Sequence, residues 1–200
     1  MQEKFWKTSH HKKRRPATHP AVLSYSEPKL NLIFEKLDYS EIGTALEIGC
    51  GNGFFTIPLS YRLNSNIIGL DFSMVMLSFI KRKIQILICA DALYLPFKEN
   101  SFDLVFSANV LHHLKNINLS IQEMKRVTRK YIVIIEPNKW NFFMYLFSKF
   151  KKEEDEYKIF RLTHLKTIIK KEKIKILDAF STGFISPNRT PQFLIPFLKN

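Results

Sequence analysis

Cysteine is scarce in this chain: only Cys50 and Cys89 occur, with no Cys-x-x-Cys pair and no Cys/His group at zinc spacing. That scarcity argues against a disulfide or metal framework and for a reducing compartment. His10-His11 and His112-His113 are adjacent pairs, not the i, i+4 spacing that sets two ligands on one helix face, so no metal site is read. No stretch approaches the roughly 18 consecutive apolar residues of a membrane helix, and the basic N-terminus lacks a following apolar leader segment. A cytoplasmic protein is expected. Acids are also short, 18 Asp and Glu against 31 Lys and Arg, which leaves a formal net charge of +13. The excess favours RNA, an anionic membrane or acidic substrates without choosing among them, and a solvated lysine-rich surface accounts for it equally. Glycine is the third scarcity, with six in 200 residues.

Three of those glycines fall together, in Ala45-Leu46-Glu47-Ile48-Gly49-Cys50-Gly51-Asn52-Gly53. An apolar run passing straight into Gly-x-Gly reads as a buried parallel strand whose turn lets backbone approach a ligand, the alternative being an ordinary tight turn. At this length one domain suffices, with a core that needs no disulfide. Residues 1–40 read as a basic N-terminal arm followed by a helix after Pro28, and 41–200 as a single domain. In a cofactor-binding enzyme such an arm covers the site; as a plain surface helix it does not, and both readings stand.

Beyond the arm, strand and helix alternate. Strands are expected at 44–48, 66–70, 84–90, 102–107 and 131–135, and helices at 54–63, 73–83 and from Asn116 or Asn118 to 127. Ser73 is an expected N-cap. A further helix over 157–171 and a sixth strand over 173–180 follow. Strands separated by helices imply a Rossmann-like, doubly wound, mostly parallel α/β sheet with helices on both faces. In such sheets ligands lie outside the carboxyl ends of the strands. Glu47, Asp71, Asp91, Asn109 and Glu136 each follow an apolar strand, so five elements deliver a polar group to one edge; singly, each could equally be a cap or a turn acid.

Spacing narrows the ligand. A dinucleotide site wants Gly-x-Gly-x-x-Gly, but here the third glycine comes one position early and Phe54 stands where it should be. Asp71 follows Glu47 at the distance suited to holding a ribose diol, and Asp91 suits an adenine amino group. Glu47 places negative charge by the turn, which repels a phosphate and suits a cation. A positively charged adenosyl compound therefore fits better than NAD.

The motifs Glu47 to Gly53, Asp71-Phe72-Ser73, Asp91-Ala92 and Phe102 to Leu114 resemble, in order and spacing, those of class I S-adenosylmethionine-dependent methyltransferases, in the broad subgroup of quinone-type and other small-molecule enzymes. The resemblance covers about residues 40–140. It implies S-adenosylmethionine as cofactor, Gly49 and Gly51 against its methionine part and Asp71 on the ribose hydroxyls. Phe72 and Met76 then flank the adenine, Asp91-Ala92 meet its edge, and Asn109 with its neighbours lines the methyl side. Glu47 and Cys50 belong to the same cofactor-binding turn, Cys50 through its backbone rather than as a catalytic thiol.

A sulfonium is already an activated donor, so few catalytic groups are needed; the candidates for a base are His113, His112, Glu136 and His19. The chain lacks the Asn/Asp-Pro-Pro-aromatic signature of base-modifying enzymes after the fourth strand, which disfavours a nucleic-acid acceptor. The aromatic run Trp140 to Phe147 suits a lid over a small hydrophobic or lipid-like acceptor, and peripheral membrane contact is compatible with the charge. The alternatives carried forward are an RNA or protein methyltransferase using the basic surface and a non-catalytic S-adenosylmethionine-binding regulatory subunit. The family's closing antiparallel strand is missing or altered here, since Pro196 interrupts the last apolar run. Neither the acceptor nor the oligomeric state is legible.

Overall fold

The computed structural model of the protein describes residues 15–63, 66–137 and 162–180. Five apolar runs form strands: β1 (Thr44–Ile48), β2 (Asn66–Asp71), β3 (Ile86–Cys89), β4 (Phe102–Ala108) and β5 (Thr128–Ile135). They pair in parallel in the order β3-β2-β1-β4-β5. The helices are α1 (Pro20–Phe34), α2 (Thr56–Arg62), α3 (Met74–Ser78), α4 (Ile117–Val127) and α5 (Leu162–Lys171). Because successive strand residues point to opposite faces, two cores form. Ala45, Leu104 and Phe106 pack with Leu30 of α1 and Ile57 and Leu59 of α2. Leu46, Ile48 and Val105 pack with Ile121 and Met124 of α4 and Leu165 and Ile168 of α5. The Rossmann-like, doubly wound sheet expected from the alternation is the observed architecture. Among the described residues, no helix is long and apolar enough to cross a membrane.

Capping chemistry sets most helix starts. Ser73 Oγ accepts from Met76 N at 3.4 Å and Asn116 Oδ1 from Leu119 N at 3.1 Å, so Asn116 rather than Asn118 caps α4. The expected start of α1 after Pro28 is corrected. His19 Nδ1 accepts from Ala21 N at 3.1 Å and Pro20 occupies the opening position, so the helix begins there and carries Pro28 inside it. The helix expected to reach Lys83 is regular only to Ser78 and continues as turns, with Phe79 N on Met76 O and Lys83 N on Ile80 O.

The sixth strand expected over 173–180 is also corrected: that stretch carries no strand. Lys173 at φ +59° turns the chain out of α5, while Lys125 Nζ donates to the Glu172 carbonyl at 2.8 Å and Lys36 pairs with Asp178 at 3.5 Å. These ties hold the segment among helices instead of in the sheet ladder. The expected lid over 140–147, the basic arm before residue 15 and the run after 180 lie outside the described residues.

Asp103 joins β4 to the start of β1. Its Oδ2 accepts from Gly43 N and Thr44 N at 3.0 Å each and from Thr44 Oγ1 at 3.2 Å, and its Oδ1 faces Arg129 Nε at 3.1 Å. Burial alone would raise this carboxyl, but the Thr44 and Gly43 amides, the Thr44 hydroxyl and Arg129 outweigh it and hold it below the usual aspartate range. A carboxyl depressed in the folded state contributes stability that is fully present above its unfolded pKa of about 3.9 and lost as pH falls through the folded value. Thermal melts of wild type and Asp103→Asn should therefore differ most at neutral pH and converge as the pH is lowered below about 4. A gap independent of pH would remove this role.

Candidate active site

The glycine turn is fixed from both sides. Gly49 N and Cys50 N both donate to the Leu70 carbonyl of β2, at 2.7 and 2.9 Å, and Gly53 N bonds Cys50 O at 2.9 Å. Gly49 has φ +70°, and a Cβ placed on it would lie 2.2 Å from Val110 Cγ2. Its missing side chain makes room for the loop after β4. Gly51, at φ +52°, faces a more open space in which a Cβ would meet Met76 Cε at 3.5 Å. Gly51 N donates to Asp71 Oδ2 and Ser73 N to Asp71 Oδ1, each at 2.8 Å. One carboxylate thus holds the glycine turn and the start of α3 together.

Behind the turn sits Glu47, buried in the sheet with Oε2 lacking a hydrogen-bond partner. Burial pushes its carboxyl up to about 8; the Thr56 hydroxyl holds the rise back in part and the Asp71 carboxylate adds to it. Cys50 is buried too, and burial, then Glu47 and Asp71, push its thiol well above the usual range. A thiolate nucleophile is therefore absent at this position.

The adenine-side candidates lie at the next two strand ends. Phe72 exposes its ring, whereas Met76 is buried with its methyl toward Gly51. Asp91 Oδ1 accepts from Leu93 N at 2.9 Å in a turn after β3, beside buried Ala92.

On the other side of β1, the loop after β4 carries three named candidates, Asn109, His112 and His113, and a fourth, Glu136, follows β5. Asn109 sits at φ +58°, donates its N–H to Ile135 O at 2.8 Å, and its amide meets Tyr25 Oη of α1 at 3.1 Å. Glu136 Oε1 accepts from Val110 N at 2.9 Å and Leu111 N at 2.7 Å, and Oε2 lies 2.5 Å from His112 Nδ1. Both side chains of that pair are nearly inaccessible to solvent. The two candidate bases are therefore joined to each other, while His113, half-buried, places its ring 3.9 Å from that of His112. His19 spends its Nδ1 on capping α1. Glu136→Ala leaves two loop amides and a buried imidazole without their acceptor, and is expected to cost about 3 kcal/mol. The check is a melt, with Glu136→Gln falling between the two; an alanine variant as stable as wild type would contradict the clamp.

A second tie joins the N-terminal segment to the turn, where Asn52 Nδ2 donates to the Arg15 carbonyl at 2.9 Å. The stretch from Arg15 to Tyr25 thus touches the loops after both β1 and β4, the two central strands.

Comparison with known proteins bears on this edge. Residues 46–134 match a protein family described as "Methyltransferase domain". The chain is 30% identical over 162 residues to demethylmenaquinone methyltransferase of Staphylococcus saprophyticus, covering 68% of this chain and 69% of that protein. The chain belongs to the class I S-adenosylmethionine-dependent methyltransferases. Within that family it is also 34% identical over 103 residues to malonyl-[acyl-carrier protein] O-methyltransferase of Legionella pneumophila, covering 48% and 36% of the two chains. A SAM-dependent methyltransferase of Aquifex aeolicus superposes with a TM-score of 0.59 at 18% identity, over 76% of this chain and 82% of that one, which shows a shared fold. The chain spans less than half the length of several curated relatives that it matches.

The motif acids and glycines were picked out in the sequence by their positions at strand ends. Tyr25 and Val110 were not. Tyr25 lies 84 residues before Asn109, and no spacing rule connects an N-terminal helix to that loop. Val110 carries no chemistry, and only the positive φ required of Gly49 hints that something stands close to it.

Proposed function

We propose that the protein transfers the methyl group of S-adenosylmethionine to a small-molecule or lipid-like acceptor. The observation that carries the reading is Asp71 bonded to both the glycine turn and α3, with the unpartnered Oε2 of the buried Glu47 carboxyl behind them. These residues fit the cofactor: the open side of Gly51 admits close approach, the Asp71 carboxylate beside it suits a ribose diol, and the buried acid suits a cation. Gly49, Cys50 and Gly51 then hold the methionine part through backbone, Phe72 and Met76 flank the adenine, Asp91 and Ala92 take its edge, and Asn109 borders the methyl. When bound, the sulfonium supplies an activated methyl group.

The protein's task is alignment and exclusion of water. Glu136 holds the loop after β4 through Val110, Leu111 and His112, so that Asn109 and His113 are presented from a fixed backbone. Residues Arg15 to Tyr25 form a wall of the site, tied to it at Asn52 and Asn109. The relative named for demethylmenaquinone favours a small or lipid-like acceptor.

Glu47 adds a pH dependence. With its carboxyl raised to about 8, the free protein holds it protonated at neutral pH. A cationic ligand draws out the ionised form, so binding releases a proton and tightens as pH rises from 6 toward 8. Calorimetry across that range checks the sign, and Glu47→Gln should flatten the profile. For the acceptor, methyl-labelled S-adenosylmethionine is incubated with fractionated cell extract: label in lipid or small-molecule fractions supports the proposal, and label confined to RNA or protein overturns it.

A further inference from the structure

Between Asp71 and Asp91, the two acids on the adenine side, lie 19 residues that contain no acid and whose only charges are Lys81, Arg82 and Lys83. This segment forms α3, the turns after it and β3, which is an edge strand of the sheet. α3 packs on β2 and β3 through Met76 and Leu77 and turns other side chains outward: Met74 is 67% exposed, Phe79 50% and Val75 40%. Lys81, Arg82 and Lys83 are all at the surface. Apolar side chains on the outside of a short helix and three cations one turn later make a paired apolar and basic face, not a scatter of single exposed residues.

We propose that this face docks the protein on an anionic lipid bilayer. Met74, Val75 and Phe79 enter the headgroup boundary, while Lys81, Arg82 and Lys83 meet lipid phosphates, the division of labour that interfacial segments use. The 19-residue segment, free of acid, puts nothing in the way of a negative surface. A bilayer suits this face better than RNA, because Met74 and Val75 offer neither a ring to stack on a base nor a donor to read one, which leaves one ring, Phe79, among its three apolar side chains. The role of the contact rests on the lipid-like acceptor proposed above: it holds the protein at the phase in which such an acceptor is dissolved.

The test is sedimentation of the full chain with phosphatidylcholine vesicles, with or without about 30% phosphatidylglycerol. Wild type should pellet with the anionic vesicles at low salt and far less with phosphatidylcholine alone. The combined change Met74→Ser, Val75→Ser and Phe79→Ser should weaken partitioning about 100-fold. Lys81→Gln, Arg82→Gln and Lys83→Gln together should do so about 100-fold at low salt and much less at about 0.5 M salt. Calorimetry with S-adenosylmethionine should be unchanged in both, which shows that they fold. Wild type left in the supernatant, or a serine variant that pellets like wild type, overturns the proposal. So does displacement by an RNA homopolymer whose binding survives Met74→Ser and Val75→Ser, which would assign the face to RNA. Vesicle binding by a wild type that does not bind S-adenosylmethionine would bring down the proposed activity and leave the docking surface standing.

Discussion

Replacing Asp71 by alanine should weaken S-adenosylmethionine binding by about 1,000-fold, the loss of roughly 4 kcal/mol from charge-assisted hydrogen bonds at one carboxylate. The size follows from the number of partners that converge there. Gly51 N and Ser73 N already bond its two oxygens at 2.8 Å, and the ribose diol is placed on the same carboxylate. Alanine removes the ligand contact and also releases the turn from α3, so the binding surface loses its shape along with its charge. Asp71→Asn keeps one acceptor oxygen but must turn an amide toward a backbone N–H, and should fall between, about 30-fold weaker than wild type. Melting of the alanine variant is expected to drop modestly, since the strands on either side keep their ladder. Calorimetry separates the two effects; an alanine variant that binds as wild type does removes Asp71 from the site.

Gly49→Ala should cost about 3 kcal/mol, from two independent sources. The residue has φ +70°, where an L side chain is strained, and its Cβ would fall 2.2 Å from Val110 Cγ2. Neither neighbour can yield freely. Gly49 N is bonded to Leu70 O on one side, and Val110 N to Glu136 on the other. For a chain of this size such a loss lowers the melting temperature by about 6 to 12 °C. Val110→Ala, mildly destabilising alone, should restore part of it in the double variant, because the contact left is with Val110 Cβ, at 3.3 Å. The φ strain persists. A double variant no more stable than the sum of the two single effects predicts would show that strain alone sets the requirement.

Much of this edge was legible beforehand, for a physical reason. A parallel strand buried on both faces is mostly apolar, so a polar residue at or just past its carboxyl end stands out, as Glu47, Asp71, Asp91 and Glu136 do. β1 came out at its observed bounds, Thr44 to Ile48, because Gly43 and Gly49 punctuate it on both sides. Where the local pattern is ambiguous, tertiary ties decided the outcome. Residues 173–180 alternate like a strand, yet Glu172 and Asp178 are held by Lys125 and Lys36, and no period in the sequence encodes that. His112 and Glu136 each had the chemistry of a base, and only the fold brings them within 2.5 Å, where each occupies the other. Met76 lay where a side chain could flank the adenine, and the packing of α3 buries it under Gly51.

The most direct test of the account is a calorimetric titration of S-adenosylmethionine into the full chain, repeated with NAD. One mole of S-adenosylmethionine should bind per chain, with proton release at pH 7 and no heat from NAD. A folded protein that gives no heat with S-adenosylmethionine, or binds NAD as well, would contradict it.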